Sequence, residues 1–193
     1  SLVPWAVAAH IDALRADHLG VYGYGKPTSP HLDRLARKGV QFMHARATSS
    51  WTLPSVASIL TGLYPAAHGA DRATFALSNT VPTMPEAFRS AGYLTAAISA
   101  NPSYVTPRHG LGRGFDEFHV EHGGITGGRS GDVMPADPWS RSFARVSGAD
   151  VVTTRALEWV AAHDDGAAPY FLYLHYVDPH AGYFPPDAEA TRF

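Results

Sequence analysis

The 193-residue chain has no cysteine. That excludes disulfides, thiolate metal sites and a cysteine nucleophile, and it leaves the redox compartment open. Basic charge is not in excess either: 15 Lys and Arg stand against 17 Asp and Glu, a formal net charge of -2. A broad basic surface for nucleic acid is thereby excluded, and no nucleic-acid partner is expected. No apolar run approaches the ~20 residues that a membrane span needs. The first residues lack the basic start and long apolar core of a signal peptide. A chain whose export signal has been removed has the same appearance, so the expectation is a soluble protein whose compartment stays open, the periplasm and the extracellular space included. Internal repeats and heptad runs are absent as well.

What is present fits a globular domain: 45% hydrophobic residues and 17% charged ones, in a length for one sizeable domain or two small ones. The 11 histidines are many for this length, and histidine is both a common metal ligand and a neutral-pH acid or base.

Residues 3–11 are apolar and short, and read as a buried strand. Asp12 follows at its C-terminal end, with His10 two residues before it and so on the same face. Asp12 has two readings: a helix start with its acidic residue near the N-terminus, or a functional carboxylate. The glycines of 21–28 do not have the spacing of a phosphate-binding fingerprint. Ser29 and Pro30 open a helix through Lys38, with Gly39 as terminator and Leu32, Leu35 and Ala36 as its apolar stripe. Residues 40–44 are a short strand candidate.

The densest signal lies in residues 47–69. A hydroxyl-rich loop leads to Thr52, Pro54 sits where the first turn of a helix tolerates it, and Gly62 ends the apolar run. Thr52 is thus at a helix N-terminus, where free N–H groups and the macrodipole favour negative charge. It can be the N-cap, or a nucleophile whose anionic substrate rests on those N–H groups. Residues 70–82 are polar and irregular. Thr83 to Glu86 form a capping box for a helix ending at Gly92. A buried-type strand over 93–99 is followed by Asn101, Ser103, Arg108 and His109. Residues 114–118 look like an anchored turn with two aromatic plugs, and 121–140 like a long loop. Ser147 with Asp150 caps a helix to His163, with Val151, Thr154, Leu157, Trp159 and Val160 as its apolar surface. A third strand over 169–175 runs into His175-Tyr-Val-Asp178-Pro-His180, and 183–186 are a loop. Strands alternate with helices, and three strands empty into polar clusters. That pattern predicts an α/β fold, a mostly parallel or mixed sheet sandwiched by helices, with its site at the strands' C-terminal edge.

Several ordered blocks resemble the N-terminal part of the sulfatase family, within the alkaline-phosphatase superfamily. They are Ile11-Asp-Ala-Leu-Arg-Ala-Asp-His-Leu-Gly20, Thr28-Ser-Pro-His-Leu-Asp-Arg-Leu-Ala36, Gly39-Val-Gln-Phe42, Pro54-Ser-Val-Ala-Ser-Ile-Leu-Thr-Gly-Leu-Tyr-Pro65 with His68-Gly69, Gly114-Phe-Asp116 and 175–180. The resemblance implies a metal-dependent hydrolase or phosphotransferase of sulfate or phosphate esters, acting on a small-molecule, glycan or lipid ester. Asp12 matches a metal carboxylate and Thr52 the nucleophile, which also touches the metal. Asn101 and Ser103 fall where many sulfatases carry substrate-binding Lys and His. His180 matches a catalytic histidine. His175, read from the residues themselves, is either a satisfied core histidine at a strand end or, as a neighbour of the site, a substrate-binding candidate. The ion implied is Ca, Mg, Mn or Zn. Thr52 is neither Cys nor Ser, and Val56 replaces the Arg of the maturation signature, so no formylglycine is expected; Ala13 stands where many sulfatases have a second carboxylate. A Thr nucleophile resembles the superfamily's phosphodiesterases, phosphonoacetate hydrolase and lipoteichoic acid synthase. The family's further metal ligands come from a later block, so residues 1–193 are expected to be the N-terminal part of one longer catalytic domain, with its sheet incomplete. The alternative is a truncated or degenerate non-catalytic module of the same fold.

Overall fold

A computed structural model describes residues 5–121, 148–163, 166 and 168–180. Its sheet has four strands: β1 (Trp5–Ile11), β2 (Leu94–Ser99), β3 (Glu117–Val120) and β4 (Tyr170–Tyr176). The order is β1-β4-β2-β3, and every pairing is parallel. The helices are α1 (Pro30–Ala36), α2 (Thr52–Thr61), α3 (Pro65–His68), α4 (Met84–Ser90) and α5 (Gly148–His163).

The central strand β4 decides the layering. Its side chains alternate between two cores, as strand geometry requires. Phe171 and Tyr173 join Leu53, Val56, Leu60 and Phe115 on the α2 and α4 side. Leu172 and Leu174 join Val152, Ala156 and Trp159 of α5 on the other. Helices on both faces of a parallel sheet are the expected α/β sandwich.

Several expectations are corrected. Residue 5 opens β1 on the sheet edge rather than in its interior, and Trp5 and Val7 are half exposed there. Residues 40–44 form no strand, because none of the described strands lies alongside. Gln41 Nε2 donates instead to Val21 O (3.0 Å), and the Tyr22 hydroxyl to Phe42 O (3.0 Å). The turn at 114–118 passes into β3, which pairs with β2. The α1 stripe is not buried, with Leu35 67% exposed. Ser29 holds the N-cap position without capping: its Oγ accepts from Gly20 N and donates to Asp33 Oδ1. On α5 the buried face is Val152, Ala156 and Trp159, while Val151 and Leu157 are exposed. The irregular 70–82 stretch plants Ala70, Leu77 and Val81 in the core. The capping box is present in full, with Thr83 Oγ1 accepting from Glu86 N and Glu86 accepting from Thr83 N. The expectations for residues 3 and 4, 122–140, Ser147 and 183–186 fall outside the described residues.

His68 closes the floor beneath α2. It is fully buried; its Nδ1 accepts from Ala70 N (3.1 Å), so the ring proton sits on Nε2, 3.0 Å from Ser58 Oγ. Burial pushes its pKa below the ordinary 6.5. The unfolded chain takes up that proton below 6.5 while the folded ring resists it. The contribution is therefore complete above 6.5 and is lost as the pH falls through that value towards the depressed folded pKa. Thermal melts are expected to show a falling Tm from about pH 7.5 to about pH 5, with a smaller fall in His68→Gln.

Candidate active site

Two of the three polar clusters at the C-terminal strand ends, those after β1 and β4, meet at one edge of the sheet, as open parallel sheets predict. Register places His10 of β1 opposite His175 of β4, and His175 opposite Ser99 of β2. The two rings stack at 4.9 Å, nearly parallel at 7°. Asp12 leaves β1 with its N–H still bonded to Tyr176 O (2.9 Å), which fixes its carboxylate over the strand ends.

Thr52 meets it from the other side. It is the first residue of α2, and the N-cap position belongs to Trp51. The Thr52 hydroxyl does not cap the helix: Oγ1 donates to Asp12 Oδ2 at 2.8 Å, across 40 residues of sequence. Behind Asp12, His175 is fully buried and holds Nε2 3.6 Å from Oδ2. Tyr173 lies 3.1 Å from His175 Nδ1, and burial raises its phenol pKa far above the ordinary value, so the phenol donates to Nδ1. In the neutral ring the proton then sits on Nε2, towards the carboxylate.

Burial works against the Asp12 charge. The facing His175 ring and the Thr52 hydroxyl outweigh it and hold the carboxyl down at about 2. Burial, reinforced by His175, pushes His10 down to about 4 against the pull of Asp12. At neutral pH the site therefore holds one carboxylate beside an uncharged His10.

A cavity of about 490 Å³ opens over this pair, lined by Asp12, Thr52, His180, Trp51, Arg72 and Tyr104 among others. Ala13 (φ 58°) and Phe75 (φ 50°) also line it, and both hold the left-handed backbone conformation that costs non-glycine residues free energy. Asn101 and Ser103 do not line the cavity. Asn101 is fully buried, and its Oδ1 accepts from Ser103 N (3.2 Å) and Tyr104 N (2.9 Å), a turn that presents Tyr104 to the cavity. His10, Trp51, Ser55, Arg72 and Tyr104 are lining residues outside the sequence-level candidate set. Only His10 carried a signal, its two-residue spacing from Asp12.

Asp12 and Thr52 offer two oxygen donors, the chemistry that suits a hard divalent ion. Stable sites need about four or more donors. The described residues contain no group of three or more His, Cys, Asp or Glu able to hold an ion. The pair thus fits such an ion in kind and supplies part of its shell.

A family model described as Sulfatase matches residues 7–193. The N-acetylglucosamine-6-O-sulfatase of Bacteroides thetaiotaomicron is 27% identical over 170 residues, 86% of this chain and 29% of that protein. The phosphonate monoester hydrolase of Agrobacterium radiobacter superposes with a TM-score of 0.69 at 21% identity, over 96% of this chain and 43% of that one. The C-terminal periplasmic domain of EcEptC from Escherichia coli, solved as a complex with Zn, gives 0.63 at 18% identity, over 96% of this chain and 47% of that one. The chain spans less than half the length of each. Among the described residues no helix is long and apolar enough to cross a membrane.

Proposed function

We propose, since this chain belongs to the sulfatase family, that it carries the nucleophile of a hydrolase of sulfate or phosphate esters, and that the nucleophile is Thr52. The observation behind this is the Thr52 Oγ1 bond to Asp12 Oδ2 in place of a helix cap. A hydroxyl that donates its proton to a carboxylate turns its lone pairs elsewhere, and here the cavity is beside it.

Asp12 fixes the hydroxyl. With its carboxyl at about 2 it is too weak a base to keep the proton at neutral pH. A divalent ion (Ca, Mg, Mn or Zn) held by Asp12, Thr52 and donors outside the described residues would lower the hydroxyl pKa. The remaining roles belong to this chain. The N–H groups of Thr52 and Leu53 open α2 without acceptors one turn back, and they favour the charge that develops on the transferred group. The Thr52 proton passes along its bond to Asp12 and on to water, and the bond from Thr52 Oγ1 to sulfur or phosphorus forms as the bond to the alcohol oxygen breaks. His180, on the cavity wall after β4, gives the leaving oxygen its proton. Water then releases the group from Thr52. The alcohol belongs to a small molecule, a glycan or a lipid, met in the periplasm or outside the cell; the glycan case agrees with the name of the Bacteroides relative.

Rapid quenching during turnover is expected to leave one sulfo or phospho group on the peptide that contains Thr52. Turnover with a burst of product and no such adduct would overturn the assignment. The donor count favours a second reading, a non-catalytic module of the same fold, which would bind no divalent ion in a metal analysis of the purified protein.

A further inference from the structure

Arg108 and His109 follow β2 and do not line the cavity, yet they hold its aromatic wall. Trp51 is wedged edge-on between Phe75 (5.8 Å) and Tyr104 (5.4 Å), and all three line the cavity. Phe75 and Tyr104 come from separate stretches of chain, and His109, at the end of the turn Pro107–His109, bridges them. It is buried, with Nδ1 2.6 Å from Phe75 O and Nε2 2.8 Å from the carbonyl of Ser103, the residue before Tyr104. The His109 carbonyl accepts from Leu77 N (2.8 Å), so backbone and ring together hold the stretch that keeps Phe75 in its left-handed conformation. Arg108 is exposed and clamps the same turn from outside: its Nη2 donates to Ser103 O (2.9 Å) and its Nε to His109 Nε2 (3.1 Å).

These contacts make opposite demands on one nitrogen. A carbonyl only accepts and the Arg108 Nε–H only donates, so the neutral ring carries its proton on Nδ1, for Phe75 O, and accepts from Arg108 at Nε2. The Ser103 oxygen then faces a lone pair at 2.8 Å. With a second proton, Nε2 donates to Ser103 O and sets its positive charge against the guanidinium. Neither state satisfies all three neighbours. The other titratable or charged groups around the ring are Tyr104, its ring 6.3 Å away and its phenol pKa pushed up by burial, and Asp71 and Arg72 on the turn that leads to Phe75. We propose that His109 is the positioning residue of this wall and that a proton on Nε2 is its switch. The neutral ring leaves Ser103 O to Arg108. The charged ring takes Ser103 O, ties it to Phe75 O through a single imidazole and releases Arg108 to solvent. The two sides of the wall are thus braced around Trp51 by one buried ring in acid, and partly by an exposed arginine at higher pH. This concerns the position of the wall and holds whether or not the cavity hydrolyses an ester.

The test is nuclear magnetic resonance of the histidine ring nitrogens in the full chain, from about pH 9 down to about pH 5. The neutral His109 ring is expected as the Nδ1–H tautomer, with Nε2 taking up the second proton. The Trp51 indole N–H resonance is expected to shift with the same midpoint. His109→Asn is expected to abolish that shift, because its amide nitrogen takes the place of Nδ1–H at Phe75 O and has no proton to gain. Arg108→Met removes the cation beside Nε2 and is expected to raise the midpoint of both signals by about half a pH unit or more. Arg108 is exposed, so this variant leaves the core whole and decides the matter by itself if His109→Asn does not fold. A neutral ring protonated on Nε2, a Trp51 resonance that does not follow the His109 titration, or a midpoint unmoved or lowered by Arg108→Met would overturn the proposal. A histidine that only fills space would share no midpoint with Trp51.

Discussion

Thr52→Ala is expected to lower turnover of a sulfate or phosphate ester at least a thousandfold, on the order of the loss when a covalent nucleophile is removed. The fold is expected to survive. Thr52 Oγ1 makes one bond to a carboxylate that keeps the His175 ring beside it. Losing one such bond costs about 1–3 kcal/mol, a fraction of a domain's stability. The buried side chains of α2, Leu53, Val56, Ala57 and Leu60, are untouched. Circular dichroism should therefore match the parent, and Tm should fall by no more than about 10 °C, while initial rates collapse. Thr52→Ser keeps the hydroxyl at N1 of α2 and should retain a measurable rate; the missing methyl loosens the rotamer and so costs rate rather than mechanism. Full activity in Thr52→Ala would remove Thr52 from the chemistry, and the cavity would then need another nucleophile.

Three strands were legible because each is a short apolar run that ends in polar residues. β4 is the clearest: six of its seven residues are buried, and both cores share it. β3 was not legible. It has four residues, Glu117 and His119 among them, and it exists because β2 offers it an edge. The apolar stripe of α1 shows the limit of periodicity, which reports that a helix has two faces but not that either is covered. Around the site, the sequence brought Asp12 and Thr52 forward one at a time, each with a bland alternative. The choice for Thr52 turns on a contact across 40 residues, which no local pattern encodes. Arg72 and Tyr104 sit in stretches without periodicity, and only packing against Trp51 brings them to the same cavity. Asn101 illustrates the converse. A position matching a substrate-binding one in the resemblance lies behind the wall, where it holds the turn that carries Tyr104.

The largest effect on stability is expected from Gly114→Ala. Gly114 has φ +82°, where an L side chain is strained, and it is buried against the first turn of α4. An added Cβ would overlap Glu86 N and lie 2.6 Å from both Glu86 Cα and Pro85 C. These are backbone atoms of the helix start that the Thr83–Glu86 capping box fixes, so no rotamer change relieves the overlap. The carbonyl of Gly114 is also held, accepting from Thr95 Oγ1 at 2.7 Å, and Thr83 Oγ1 reaches Arg113 O at 3.2 Å. Either α4 or the start of β3 must move, and both pack on the core around Phe115 and Phe171. The expected loss exceeds about 4 kcal/mol, or more than about 10 °C in Tm. Gly92→Ala separates the two causes. Gly92 has φ +86° with nothing within 4 Å of the added Cβ, so it reports backbone strain alone, about 1–2 kcal/mol. Equal losses in the two variants would assign the whole cost to φ and dismiss the overlap. Gly114 does not line the cavity, and an added Cβ there meets Pro85 and Glu86 rather than any residue of the Asp12–Thr52 pair. Whatever fraction of Gly114→Ala remains folded should therefore keep the parent's rate per folded molecule, which distinguishes lost structure from lost chemistry.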